Sequence, residues 1–385
     1  MRQTLVRVVG GVVMSALAFG GATACKSDSG SDSAAGGDCG YKIAFFGALS
    51  GGNAQLGINI RDGAKLAVDQ YNEKNKDCAV TLVEKDSAGS PDQAPPLAQS
   101  LIQDTKILGV VGPAFSGESK VADPILSEAG VVIITPSATN PALATNGWKT
   151  FHRGLGNDAS QGPAAAAYIK NEFKATKAFV IDDASEYGKG LSDQVKSTLG
   201  SLVVGSAVVK EQQTDFSAVV QQIKSVQADA VFFGGYVREA APFLKQLRES
   251  GSQAKFIAGD GVKEEVLVTG AGAANAEGAI LTCPCMPGEK AKGTFAADYQ
   301  KATGRAPNTY SAESFDAANI LLNGIKAGNT TREKLNDFVN KYEGEGVTTN
   351  FKFQPNGELD PKSVQIWAYK VQGGKIVADK EIEQG

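Results

Sequence analysis

The sequence predicts an α/β protein of two lobes, each built on a parallel β-sheet. Three observations predict it. The chain of 385 residues is too long for one ordinary domain and about right for two of 150–200. Short apolar runs alternate along it with amphipathic stretches, the pattern of parallel strands joined by right-handed helical crossovers. That alternation runs twice, from about 41 to 150 and again from about 161 to 282.

The first forty residues read as an address. Arg2 and Arg7 precede an uncharged apolar stretch, then Gly21-Ala22-Thr23-Ala24 and Cys25. A basic start, an apolar run and small residues form a secretory signal peptide over 1–24. Glycines and Ser15 interrupt the run, which argues against a permanent membrane helix. Small residues directly before a cysteine resemble a bacterial lipobox. The resemblance implies cleavage before Cys25, with lipid on its sulfur and on the new amino terminus. The other reading is an ordinary signal peptide with a chance cysteine. Residues 26–37 (KSDSGSDSAAGG) cannot pack; within a tether over 25–40 they have a root-mean-square reach of roughly 20 Å.

Beyond the tether, residues 41–46, 80–83, 107–111, 131–134, 178–181, 202–209, 230–233, 256–258 and 278–281 read as buried strands. They are short, rich in Val, Ile and Phe, and bounded by Gly, Asp or Pro. Between them, residues 63–75 place Leu66, Ala67 and Tyr71 on one helical face, opposite Lys65, Asp69 and Glu73. Residues 191–199, 216–226 and 240–250 behave similarly. After Pro287 the pattern is helical over 289–303, 311–327 and 332–343, and by itself reads as a separate region. Two strand-like runs, 349–353 and 364–371, flank the turn signal Pro355-Asn356-Gly357.

Composition excludes several functions. Hydrophobic residues make up 42% and charged residues 21% of the chain, which supports a packed core. A net charge of -4 lacks the basic excess that nucleic-acid binding requires. One histidine, His152, cannot build a multi-His metal site, and no metal or cofactor is expected. Asp182-Asp183 reads as a strand-end turn. Neither a Walker loop nor a G-x-G-x-x-G context follows the first strand. No Ser–His–Asp context or G-x-S-x-G elbow supports an enzyme.

Apart from Cys25, four cysteines remain: Cys39, Cys78, Cys283 and Cys285. In an exported chain an even count points to disulfides, with three possible pairings. Cys39 and Cys78 each precede an apolar run; neighbouring parallel strands would bring them together. Cys39–Cys78 is favoured, with Cys283–Cys285 as a short clasp.

Four segments carry a family resemblance. They are 43–70 (IAFFGALSGGNAQLGINIRDGAKLAVDQ), 110–141 (VVGPAFSGESKVADPILSEAGVVIITPSATNP), 182–191 (DDASEYGKGL) and 230–261, with VFFGGYVREAAPFLKQLRESG and IAGDG. In this order and spacing they resemble the periplasmic leucine/isoleucine/valine-binding proteins, the receptors of ABC importers. The resemblance spans about 41 to 369. It implies a type I periplasmic binding fold: two Rossmann-like lobes joined by three crossovers, near 153–156, 282–284 and 350–353. Lobe one would then be 41–154 plus 284–350, and lobe two 155–283 plus 351–385.

In open α/β sheets ligands bind beyond the carboxyl ends of the strands. Ser116 follows one strand end and lies near a helix N-terminus, where amides and the dipole favour an anion. Ser137, Ala138 and Thr139 follow the next strand and offer hydroxyls and backbone donors to the same anion. In the family, positions matching Ser116, Ser137 and Thr139 bind a ligand carboxylate; an Ala commonly stands where Ser137 does. Asp260, between two glycines at a strand end, would answer an α-ammonium. The family usually has the longer Glu there, so this cleft must be tighter or bridged by water. Tyr187, Tyr236 and Tyr310 match aromatic walls, and Phe115 should line the floor. Leu56 stands where these receptors often carry a Tyr. With bulky Phe115, it leaves leucine, isoleucine, valine, phenylalanine and small amides all open. The implied function is a lipid-anchored receptor on the outer face of the membrane. It would capture an amino acid by hinge closure, as a monomer, and deliver it to a permease. The alternatives are a sensor with the same clamshell and a receptor for amides or organic acids.

Overall fold

The computed structural model describes residues 39–383. The expected signal peptide, Cys25 and all of the tether except Cys39 and Gly40 lie outside the described residues. The chain first lays down β1 (Lys42–Gly47), α1 (Ala54–Lys74), β2 (Thr81–Asp86), α2 (Ala94–Ile102), β3 (Ile107–Val111), α3 (Ser116–Glu128), β4 (Val132–Thr135) and β5 (Phe151–Arg153). A second series follows: α4 (Asp158–Asn171), β6 (Ala178–Asp182), α5 (Glu186–Leu199), β7 (Val203–Val208), α6 (Ser217–Ser225), β8 (Ala230–Gly234), α7 (Val237–Glu249), β9 (Lys255–Ala258), α8 (Glu265–Ala271), α9 (Ala273–Ala276) and β10 (Ile280–Cys283). Then come α10 (Phe295–Thr303), α11 (Ser311–Lys326), α12 (Arg332–Asn340) and the short strands β11 (Glu343–Glu345) and β12 (Asn350–Lys352). The strands β13 (Ile366–Gln372) and β14 (Lys375–Ile382) close the chain.

One sheet runs β2-β1-β3-β4-β5, all parallel. A second runs β14-β13-β10-β9-β8-β6-β7, with β13 and β14 antiparallel, and β11 and β12 form a small antiparallel pair of their own. The central strands are apolar along their length because helices cover both faces; β3 and β8 are buried at every residue. Pairing of Lys42 with Thr81 sets the beginnings of β1 and β2 side by side, and Cys39 is disulfide-linked to Cys78. Cys283 is linked to Cys285.

The helical stretch after Pro287 is not a separate region. Phe295, Tyr299, Phe315, Leu321 and Leu335 pack with Ile43, Leu108, Val111 and Val132 in one core under the first sheet. Local periodicity shows that these helices have an apolar face but not which sheet covers it. The third passage between the lobes lies later than 350–353. Phe351, Phe353 and Leu359 still belong to the first core, and the chain joins the second sheet only at Ile366. Gly154, Leu155, Gly156, Pro284, Leu359 and Ser363, from all three passages, line one small cavity.

Three strands among the described residues, β5, β11 and β14, have no counterpart among the apolar runs; β11 is Glu-Gly-Glu, with no apolar side chain to mark it. β5 is Phe-His-Arg, too polar and short to register as a strand. His152 is buried there, bonded through its ring to Ile133 O, Thr150 O and Asn340 Oδ1, and burial lowers its pKa. β14 is half charged because it is an edge. Its signal was Gly373-Gly374, both at positive φ (58° and 75°), the two-residue hairpin turn that glycine makes without strain.

Leu321 has no exposed surface and stands over Gly109, where an added Cβ would come within 2.8 Å of it. Leu321→Ala should lower the unfolding free energy by about 2–5 kcal/mol. A lower urea midpoint at unchanged slope would show it.

Candidate functional site

Each sheet has one point where crossovers turn in opposite directions, and a crevice opens there at the carboxyl ends of the strands. In the first sheet it lies between β1 and β3, in the second between β6 and β8. Phe115 and Ser116 follow β3. Tyr187 follows β6, and Tyr236 follows β8. The two crevices face each other. The Phe115 ring, from the first lobe, meets the Tyr236 ring edge-on with centroids 5.2 Å apart. Tyr236 in turn lies 5.1 Å from Tyr187. All nine candidate ligand residues fall in this region. Eight are buried, and Tyr236 is half-buried.

The first lobe contributes two stitched loops. Ser137 Oγ donates to Ala114 O (2.8 Å), and Thr135 Oγ1 donates to Pro113 O (2.9 Å). The Asn140 amide donates to Ser116 Oγ (3.3 Å). α3 starts at Ser116 itself, so Ser116 is its first residue rather than a neighbour of its N-terminus. Ser116 and the first amides of a thirteen-residue helix therefore form an anion-favouring pole. The Ser137 hydroxyl differs from expectation: its proton goes to the neighbouring loop, so that side chain shapes the pole.

Glu118 lies buried beneath this pole and accepts the Ser87 hydroxyl. Burial pushes its carboxyl up to about 8, although Ser87 and the Phe115 and Ala114 amides pull the other way.

The second lobe presents acid and hydroxyls. Tyr187 OH donates to Asp260 Oδ1 (2.8 Å) and accepts from the Gly261 amide (3.1 Å). Tyr310, from the first lobe, approaches the same carboxylate. It holds positive φ (64°) at the start of α11, a strained conformation for a tyrosine of the kind that clusters at functional sites. Burial raises the Asp260 pKa, while Tyr310, Tyr187 and Gln161 lower it. Tyr236 is aimed by Asp183, whose carboxylate accepts the Tyr236 amide (3.0 Å) and the Ser185 amide and hydroxyl. Gly235, at φ 151°, lets the backbone pass Asp183; a Cβ there would lie 2.4 Å from its carboxylate. Asp182 accepts the Ala184 amide (3.1 Å), so both aspartates shape strand-end turns.

Two residues of the cleft were not foreseen. Asp158, the first residue of α4, is fully buried, and neither carboxylate oxygen has a hydrogen-bond partner of ordinary geometry. Burial and then the charge of Asp260 raise its pKa well above the carboxylate range; the Thr139 hydroxyl and Arg153 oppose this. Gln161 bonds Thr282 through its amide nitrogen (2.9 Å to the carbonyl), with its oxygen unpartnered. A legible signal existed in Asn157, which caps α4 by accepting the Ala159 amide and so places Asp158 and Gln161 in the first turn. Among the described residues no group of His, Cys, Asp and Glu could hold a metal, and no helix is long and apolar enough to cross a membrane.

Two parallel sheets whose switch points converge on a walled cleft, with hydroxyls and helix amides at one pole and carboxylates at the other, define a two-lobed ligand-binding protein. The chain belongs to the periplasmic binding protein family, whose sequence model matches residues 40–375. It is 30% identical over 338 residues to an amino acid binding protein of Pseudomonas aeruginosa, covering 86% of this chain and 90% of that one. It is 31% identical over 345 residues to a Leu/Ile/Val-binding protein of Rhizobium johnstonii, covering 87% and 93%. The fold superposes on a leucine binding protein from Thermotoga maritima with TM-score 0.81 at 26% identity, covering 89% and 99% of the chains. A branched-chain amino acid substrate-binding protein of Streptococcus pneumoniae, solved with isoleucine, gives 0.82 at 26% identity, covering 89% and 98%. Periplasmic binding proteins are extracytoplasmic.

Glu118 generates a pH prediction. The folded protein keeps its proton to about pH 8, whereas the unfolded chain releases it near 4.5. Between those values folding binds the extra proton, so rising pH favours unfolding. This contribution is whole below about pH 4.5 and lost as pH passes about 8. Thermal midpoints measured from pH 5 to 8 should fall, and Glu118→Gln should make the fall shallower. Glu313, pushed up to about 7 by burial, leaves a residual slope.

Proposed function

We propose that this protein is the extracytoplasmic receptor of an ABC importer and captures an α-amino acid, branched-chain or otherwise apolar. The carrying observation is the bipolar cleft. Ser116 and the 137–139 loop stand on the first lobe, and Asp260 and Asp158 on the second, at a separation the aromatic walls bridge. A ligand carboxylate takes the α3 N-terminus and the Thr139 donors. The α-ammonium takes Asp260 and Asp158, and Phe115, Tyr187, Tyr236 and Tyr310 exclude water from both. Lobe one binds first, and rotation about the three passages brings Asp260 in. The closed form then docks on the transmembrane permease. Binding and delivery require no covalent chemistry from this chain. Signal cleavage and lipid on Cys25 hold the receptor at the outer face of the membrane.

Leucine, isoleucine and valine should each raise the thermal midpoint, since a ligand at 100 times its Kd adds about 2.7 kcal/mol. Asp260→Asn and Asp158→Asn should each weaken leucine binding about ten- to hundredfold, the worth of a charge-assisted bond. 4-Methylpentanoate, which is leucine without its ammonium, should bind the native protein poorly. A shift with such carboxylates or with amides, and none with amino acids, would make this an organic-acid or amide receptor and refute the role of Asp260. Separately, Cys25→Ser should move the protein from the membrane fraction to the medium, with an unlipidated amino-terminal peptide by mass spectrometry.

A further inference from the structure

We infer that Arg153 is a positioning residue for the carboxylate-binding loop, and that Glu358 holds it in that role. The inference rests on the proposed amino-acid reading of the cleft. Arg153 ends β5 at the first passage between the lobes and is wholly buried. Its guanidinium makes four hydrogen bonds. Nη1 donates to Ala138 O, and Nη2 to Asn140 O (2.9 Å). Nε and Nη2 donate to the two oxygens of Glu358, each at 3.0 Å.

These bonds decide where the loop amides point. In a trans peptide the C=O and the following N–H lie in one plane and point opposite ways. Arg153 draws the Ala138 carbonyl to itself, so the Thr139 N–H faces away from it, toward the cleft. The neighbouring groups are already engaged. The Ala138 amide donates to Thr135 Oγ1 (3.0 Å), the Asn140 amide to Ser116 Oγ (3.3 Å), and Thr139 O accepts the Asp158 amide (2.9 Å). The Thr139 N–H is thus left for a ligand oxygen, beside the Ser116 pole.

Glu358 extends the arrangement to the second lobe. It accepts Asn157 Nδ2 (3.0 Å), and Asn157 caps α4, whose first residue is Asp158. The Arg153 amide itself donates to Gly357 O (2.8 Å). One ion pair therefore ties the anion pole, the first passage and the acidic pole. A buried ion pair is weak grounds for a stability role, because desolvation offsets its attraction. Two carbonyls of the ligand loop at one end of the fork point instead to positioning. Lysine would keep the charge and lose the planar fork.

The test compares leucine with leucinamide, which keeps the side chain and ammonium and lacks the carboxylate. Calorimetry on native protein, Arg153→Lys and Glu358→Gln gives the ratio of affinities. Leucine binding should weaken about ten- to hundredfold in Arg153→Lys, with leucinamide changed by less than about threefold. Glu358→Gln should move the ratio in the same direction, and serves if the arginine variant does not fold. Equal weakening of both ligands, or of neither, would overturn the inference. If the native protein binds neither, the amino-acid reading fails, and hydrogen exchange judges the loop alone. Faster exchange at Ala138 and Asn140 in Arg153→Lys, with β4 still protected, supports the positioning role; unchanged exchange overturns it.

Discussion

Two buried carboxylates, Asp158 and Asp260, share one cleft, and neither forms an ion pair among the described residues. Burying a carboxylate without a compensating charge is costly, and the fold answers with neutral donors. Tyr187 bonds Asp260 directly, and Tyr310 and Gln161 support it. These donors hold the acids in place without cancelling them. In the proposed reading of the cleft, an α-ammonium supplies the charge these acids lack. The other pole has the reverse need: α3 and the 137–140 loop present donors at the positive end of a helix.

The two poles stand on different sheets. Parallel strands with crossovers place every strand's carboxyl end on one side, so each lobe displays its loops toward the other. The lobes also meet beyond the ligand residues. Lys263 is buried; its Nζ contacts Asn308 and Thr309 at 3.3 Å and lies 4.2 Å from the centre of the Tyr369 ring. Glu264 accepts the Asn59 amide at 3.3 Å. These contacts follow closely after Asp260 in the chain, so the segment carrying that buried acid also carries part of the lobe contact.

Much of this was legible in residue order. Short apolar runs located eleven of the fourteen strands among the described residues, most plainly the central ones, because a strand covered on both faces must be apolar throughout. Ser116, Ser137, Thr139 and Asp260 stood out because each follows a strand end, and Tyr236 because the family resemblance marks it as an aromatic wall. Asp158, Gln161 and Arg153 did not. Asp158 and Gln161 belong to the first turn of a helix whose cap was passed over, and Arg153 ends a three-residue strand that looks polar. Their importance lies in partners distant in sequence, such as Thr282 and Glu358, and periodicity carries no information about such partners.

The sequence by itself determined the α/β class, the two lobes and the residue types at the strand ends, because these depend on local pattern and composition. Only the tertiary structure decided which sheet the last helices cover, where the third passage runs and which way each donor points. The Ser137 hydroxyl turns to Ala114 rather than to the cleft, and the Ala138 carbonyl turns to Arg153, which sends the Thr139 amide the other way. Such orientations are set by hydrogen bonds between segments far apart in the chain, and those bonds exist only once both sheets are assembled.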